Sequence, residues 1–227
     1  MTLINKKSIL FFICVAYSVT AFGQRGLELG GWLGASHYFG DLNPSLKINR
    51  PGLALGLIGR YNFNTRLCLR MGLNYGNVSG SDSDSDVLYN RTRNLSFKSS
   101  ILDYNAQIEF NFLPYIHGSR DQFFTPYIFG GFNVFSFNPK AHYGGKWVEL
   151  RPLGTEGQFR GDEYNSISRG LVYGFGFKVD VSQDWSLNFE LSARSLVTDY
   201  LDDVSTVYPD YQDLSSLHGQ IAVDLAD

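Results

Sequence analysis

Leu171-Val172-Tyr173-Gly174-Phe175-Gly176-Phe177-Lys178-Val179-Asp180-Val181 and Trp185-Ser186-Leu187-Asn188-Phe189-Glu190-Leu191-Ser192-Ala193-Arg194 flank a polar break, Ser182-Gln183-Asp184. In both runs the odd positions are apolar. The even positions are mostly small or charged, and they carry Lys178, Asp180, Glu190 and Arg194. A period of two sends successive side chains to opposite faces of a strand. Two such runs around a short turn make a β-hairpin with one large apolar face and one polar face. In a soluble sandwich the apolar face is core. In an outer-membrane barrel it meets lipid, and the polar face lines a narrow lumen. The hairpin by itself fits either, and the N-terminus bears on the choice.

Lys6 and Lys7 precede an apolar run over residues 9–19, and Ala21-Phe22-Gly23 stand before Gln24. That layout predicts a secretory signal peptide over residues 1–23. The run is 11 residues long, against about 20 for a transmembrane helix. Cys14 falls inside it, so Cys68 is the one cysteine of the mature chain and no internal disulfide forms. An exported chain of this size then needs another constraint, and a closed hydrogen-bonded barrel supplies one by removing strand edges. Residues 24–227 suit one domain. Net charge is −3, which gives no basic footprint for nucleic acid. Aromatic residues make up 15% of the chain alongside 24 glycines, while mean hydropathy is only −0.14. Transmembrane strands have this profile, because the polar face dilutes the apolar signal.

Outward from the hairpin, the alternation recurs. Residues 26–39 place Leu27, Leu29, Leu33 and Ala35 on one face, and residues 52–63 place Leu53, Leu55, Leu57, Tyr61 and Phe63 together. Asn64-Thr65 turns the chain into a strand with Leu67, Leu69, Met71, Leu73 and Tyr75 opposite Cys68, Arg70 and Asn74. Residues 95–112 predict a fourth strand whose apolar parity switches near Ser99-Ser100, the mark of a β-bulge. Residues 123–137 form a fifth, aromatic on both faces. Residues 79–94, 138–168 and 195–213 read as long loops, the second too polar and glycine-rich for another plain strand. The final run alternates Leu217, Gly219, Ile221, Val223 and Leu225, as part of an eighth strand or a segment over the rim. Short and long connections alternate, as periplasmic turns and outer loops do. The fold class is therefore all-β: an antiparallel up-and-down transmembrane β-barrel of the eight-stranded type, filled by its own side chains rather than open as a channel.

Arg60, Arg70, Glu109, Lys178, Glu190 and Arg194 fall on inward positions and are expected to pair across the lumen, since charge held in a narrow interior must be neutralised. The run Ser81-Asp82-Ser83-Asp84-Ser85-Asp86 opens like a calcium loop. Val87 and Arg93, however, stand where that loop needs glycine and glutamate, so a solvated loop is expected. His37, His117, His142 and His218 are scattered, and no G-x-S-x-G is present. The reading is non-enzymatic, without cofactor or metal. An enzyme acting from its outer loops and a soluble periplasmic sandwich are the competing classes.

Several local patterns narrow this further: Gly30-Gly31-Trp32-Leu33-Gly34 leading to Tyr38-Phe39-Gly40-Asp41-Leu42, then Thr125-Pro126-Tyr127 with Asn138-Pro139. Most distinctive are Pro152-Leu153-Gly154-Thr155-Glu156-Gly157-Gln158 and Thr198-Asp199-Tyr200-Leu201-Asp202-Asp203-Val204-Ser205. In this order the chain resembles the family of small outer-membrane β-barrels that includes PorG of the type IX secretion and gliding machinery. The resemblance implies an eight-stranded barrel in the bacterial outer membrane. Its role there would be structural, in contact with outer-membrane lipid and the periplasmic ring proteins of that system; a general outer-membrane barrel of unknown partner is the alternative. Family members continue past the position of Asp227 into a last strand, so this chain is expected to be C-terminally truncated and to leave a gap. Glu156, Gln158, Tyr200, Asp202 and Asp203, in the two motif-bearing loops, are the candidates for partner binding or loop ordering.

Overall fold

The computed structural model describes residues 26–40, 42, 48, 50–93, 95–155, 164–198, 200–203 and 211–226. The expected signal peptide, Glu156 and Gln158 lie outside them. Eight strands are present: β1 (Gly26–Ser36), β2 (Gly52–Asn62), β3 (Leu67–Ser81), β4 (Ser96–Asn111), β5 (Phe124–Tyr143), β6 (Lys146–Glu149), β7 (Ile167–Asp180) and β8 (Ser186–Leu196). They form one antiparallel sheet in the order β1-β2-β3-β4-β5-β7-β8, with the short β6 pairing β5. Every long strand thus pairs with its sequence neighbour, the meander expected of an up-and-down barrel. Among the described residues β1 and β8 pair on one side only, so the sheet they form curls without closing.

Side chains from distant strands meet inside the curl. Arg70 of β3 reaches Glu190 of β8, Lys178 of β7 reaches Glu109 of β4, and Trp32 of β1 reaches Asn74 of β3. The period of two that sorts the sequence sorts the sheet in the same way. Outward Leu29 and Phe132 are 80% and 73% exposed, whereas inward Glu109 and Lys178 are 0% and 2% exposed. The β2–β3 turn is tight because Asn64 caps it: its side-chain oxygen accepts from the Arg66 and Leu67 amides. Gly174 and Gly176 of β7 lack side chains because aromatics cover them. A Cβ on Gly174 would lie 2.5 Å from Phe129 Cζ, and one on Gly176 2.9 Å from Tyr127 Cζ.

Four local expectations are corrected. No bulge interrupts β4: its register with β3 runs unbroken from Leu67↔Phe110 to Ser81↔Ser96. The parity switch has another cause. The interior changes from polar to apolar at the loop end, where Phe97 packs inward with Tyr38, Leu42, Val78, Ala141 and Leu150. Residues 138–168 are not wholly a loop. β5 continues to Tyr143, and Gly144-Gly145, both at positive φ, turn the chain into β6. Their glycines, read as loop-like, are the hairpin turn. β3 likewise runs to Ser81, beyond the expected start of its loop, and α1 (Leu88–Arg93) follows. Finally, the alternating C-terminal run is helical, as α2 (Tyr211–His218) and α3 (Gln220–Ala226). Leu214, Leu217, Ile221 and Leu225 also recur every three or four residues, and Gly219 at φ +86 ends α2 with its amide on the Ser215 carbonyl. Leu225 then packs against the apolar cluster at the rim.

Candidate functional site: a charged lumen under a latched rim

Glu109 is the centre of the lumen. Its carboxylate accepts from Arg60 Nε at 3.0 Å, Arg70 Nη1 at 2.9 Å, Lys178 Nζ at 2.6 Å and the Cys68 thiol at 3.1 Å. Arg70 also donates through Nη2 to Glu190 at 2.9 Å, and the Tyr127 hydroxyl donates to Glu190 at 2.9 Å. Arg70 lies 5.0 Å from the Phe129 ring centroid and Lys178 4.7 Å from that of Tyr127. These are cation–π contacts in a desolvated setting. One tier toward the loops, Asp103 accepts from Asn74, Asn105 and Asn133 and lies 3.5 Å from Arg194. The six inward charges read from alternation thus fall into two neighbouring clusters: Glu109 and Glu190 are the anions of the first, and Asp103 is the anion that Arg194 meets in the second. Such a wall is packed and neutralised, and it leaves these groups committed to one another.

Described residues close on the lumen at both ends. At the turn end, residues 113–122 fold under the lumen. There Asp180 accepts from the Tyr115 hydroxyl and the Gly118 amide, and His117 Nδ1 lies 2.9 Å away. Burial, with Asp180 beside it, pushes the Tyr115 phenol well above its ordinary value. At the loop end, Asp202 accepts from Tyr38. Asp203 accepts from the Thr155 hydroxyl at 2.5 Å and from the Tyr164 hydroxyl. Tyr164 stacks between Phe137 and Tyr200. Burial and the Asp203 carboxylate also raise the Tyr164 phenol. Asp203 itself adopts φ +69, a conformation rare outside glycine, asparagine and aspartate.

Tyr200, Asp202 and Asp203, singled out from the sequence, therefore lie together in this latch, with both carboxylates buried. Their partners Tyr38, Thr155 and Tyr164 were not predicted as such. Tyr38 and Thr155 fall within the quoted motifs, and Tyr164 sits in an irregular segment without a pattern to mark it. Asp82 and Asp84 are also engaged: Asp82 accepts from the Leu95 amide and Asp84 from Arg50. Among the described residues no group of three His, Cys, Asp or Glu side chains is placed to hold a metal ion.

The outer surface completes the picture. Its middle is apolar. Toward the turns it becomes aromatic, with Tyr61 against Phe63, Phe110 against Phe112, and Phe177 stacked on Phe189. No protein of curated function matches the chain. The family model described as a domain of unknown function, DUF6089, matches residues 6–222, and the chain belongs to that family.

Proposed function

We propose that this chain is an exported, non-enzymatic barrel of the bacterial outer membrane that serves type IX protein secretion as a structural component, contacting the periplasmic ring. The observation that carries the membrane reading is the inverted sidedness of the sheet. Buried charge lies within, and an apolar outer face bears residues such as Leu57 at 65% and Phe175 at 60% exposure. In water that outer face would be a large continuous apolar patch, which monomeric soluble proteins rarely carry. In lipid it is the ordinary solvent-facing surface of a transmembrane barrel. The aromatic pairs near the turns fit a membrane–water interface. A lumen plugged by its own ion pairs supports a structural role rather than solute passage.

The secretion role rests on the loop and strand motifs shared with the PorG-containing family. The surface expected to meet a periplasmic ring is the turn end, where Tyr115, His117 and Gly118 are fixed on Asp180. Carbonate washing of membranes tests the first part: the protein should stay in the pellet, and release into the wash would favour a soluble sandwich. Deletion of the gene, with type IX cargo measured in the medium, tests the second. Cargo export at the parental level would reject the secretion role while leaving the barrel intact.

A further inference from the structure

Counted over the outward positions of the seven long strands, charge occurs at three described residues: Lys98 on β4, Lys140 on β5 and Arg169 on β7. All three are basic: Lys98 and Lys140 stand level near the loop ends, and Arg169, opposite Val134, stands six residues nearer the turns. Their strands are neighbours in the sheet. Toward the turns the same outer face is aromatic, so the two rims of the apolar band differ in kind. Lys98 and Lys140 are moreover direct cross-strand partners. Like charges in direct opposition destabilise a sheet unless something neutralises them. Glu149 of β6 takes up Lys140 at 2.9 Å. Lys98 has instead the Trp147 indole, its Nζ 5.9 Å from the ring centroid. Trp147 is itself exposed, and its ring meets His142 edge-on. An exposed indole beside Lys98, which no carboxylate among the described residues takes up, matches the depth of lipid head groups just beyond an apolar band.

Resting on the outer-membrane reading above, we propose that Lys98, Lys140 and Arg169 form a basic collar that binds phosphate groups of lipid in the leaflet on the loop side. The ligand class is a membrane lipid bearing phosphomonoesters. Its acyl chains lie along outward Phe132, Leu171 and Tyr173, on the turn side of Arg169, and its phosphates are divided between the Lys98–Lys140 pair and Arg169, with the indole at the boundary. Lys and Arg hold phosphate through charge-assisted hydrogen bonds. Glu149 restrains the collar by occupying Lys140.

The test uses the full chain, extracted from membranes and equilibrated with mixed micelles containing bisphosphorylated lipid A or its dephosphorylated form. Retained lipid is read by native mass spectrometry. The wild-type chain should keep the phosphorylated lipid in preference. The triple variant Lys98→Gln, Lys140→Gln, Arg169→Gln should lose about a hundredfold of that retention, since each basic side chain at an anionic surface contributes about fivefold. Lys98→Gln alone, a milder change should the triple variant fold poorly, should lose about fivefold on the same basis. Glu149→Gln should increase retention by freeing Lys140. Equal retention of both lipids, or no loss in the Lys98→Gln chain, overturns the collar, as does displacement of the lipid by inorganic phosphate alone. Carbonate washing separates the two levels. A chain that washes out defeats the membrane reading, whereas one that stays in the pellet without phosphate preference defeats only this inference.

Discussion

Replacing Glu109 by Gln should destabilise this barrel more than any other single change in its lumen. The substitution keeps the shape and removes one charge. Around Glu109 and Glu190 the wild-type network sets three cations, Arg60, Arg70 and Lys178, against two carboxylates, a net charge of +1. Glu109→Gln makes that three against one, +2, in a wall where Arg60 and Lys178 are 4% and 2% exposed. Breaking a buried pair by removing one partner costs about 3–5 kcal/mol, because the remaining charge stays desolvated. Lys178→Met leaves two cations against two carboxylates, and Arg60 and Arg70 still hold Glu109. Its cost should be nearer the 1.5–3 kcal/mol, roughly, of a single hydrogen bond to a charged group. The double variant should cost less than the sum, since Lys178→Met relieves the charge excess left by Glu109→Gln and the Lys178–Glu109 contact is lost only once. The assay is urea unfolding of the chain refolded in detergent micelles, followed by tryptophan fluorescence. A Glu109→Gln chain within about 1 kcal/mol of wild type, or strict additivity in the double variant, would refute the argument that this network is a desolvated unit.

Facing should be equally measurable. Phe189→Lys, on the apolar outer side of β8, should impair membrane assembly by about 2–4 kcal/mol, while Ser192→Lys, on the lumen side of the same edge strand where the residue is exposed, should be milder; equal tolerance would remove the sidedness. Gly176→Ala places a Cβ 2.4 Å from the Phe189 carbonyl oxygen and against Tyr127, whereas Gly130→Ala meets nothing within 4 Å. The first should lower the urea midpoint by the equivalent of about 1–3 kcal/mol and the second should leave it unchanged. The rim latch should loosen in alkali. The Tyr164 phenol is raised in the folded chain, so its contribution is full below the ordinary phenol value near 10 and falls as pH rises past it. Limited proteolysis of the loop end, compared below and above about pH 10, should show new cleavage only in alkali. Tyr164→Phe should remove that dependence.

How much of this was legible in the sequence follows from which physical signal each part carries. The strands were legible because alternation is imposed by the pleat itself. Once the odd residues of β7 and β8 face outward, Lys178 and Glu190 have no choice but to face in. The partners within the lumen were less so. That Glu109 collects three cations while Asp103 takes Arg194 depends on strand tilt and height, which a one-dimensional pattern does not encode. The parity switch in β4 misled because apolar residues were assumed to share one face. In fact Phe97 is apolar for a different reason, closing the interior at the loop end with Tyr38 and Leu150. Around Gly219, Leu217, Ile221 and Leu225 satisfy both a period of two and a helical spacing from Leu214. Contact of Leu225 with the rim cluster goes with the helical choice. The aspartates of the latch were visible as a motif, but their role needed Tyr164, which no periodic signal places.

The lumen network and the open seam are linked. Seven long strands paired antiparallel in succession leave β1 and β8 pointing the same way, so these two edges cannot join by antiparallel pairing with each other. Closing such a sheet in antiparallel fashion takes an odd number of further strands. The reach of Arg70 to Glu190, from the third strand in the sheet to the last, holds the curl to the narrow bore of a barrel filled by side chains. Between its ends the bore also carries its own counter-charges. Arg60, Arg70, Lys178 and Arg194 stand against Glu28, Asp103, Glu109 and Glu190, four of each sign, while Asp180 is taken up at the turn end. A strand completing this wall would therefore meet an interior already neutral. Any charge it turned inward would be a buried charge without a partner, so its lumen face must be small and uncharged while its outer face continues the apolar band.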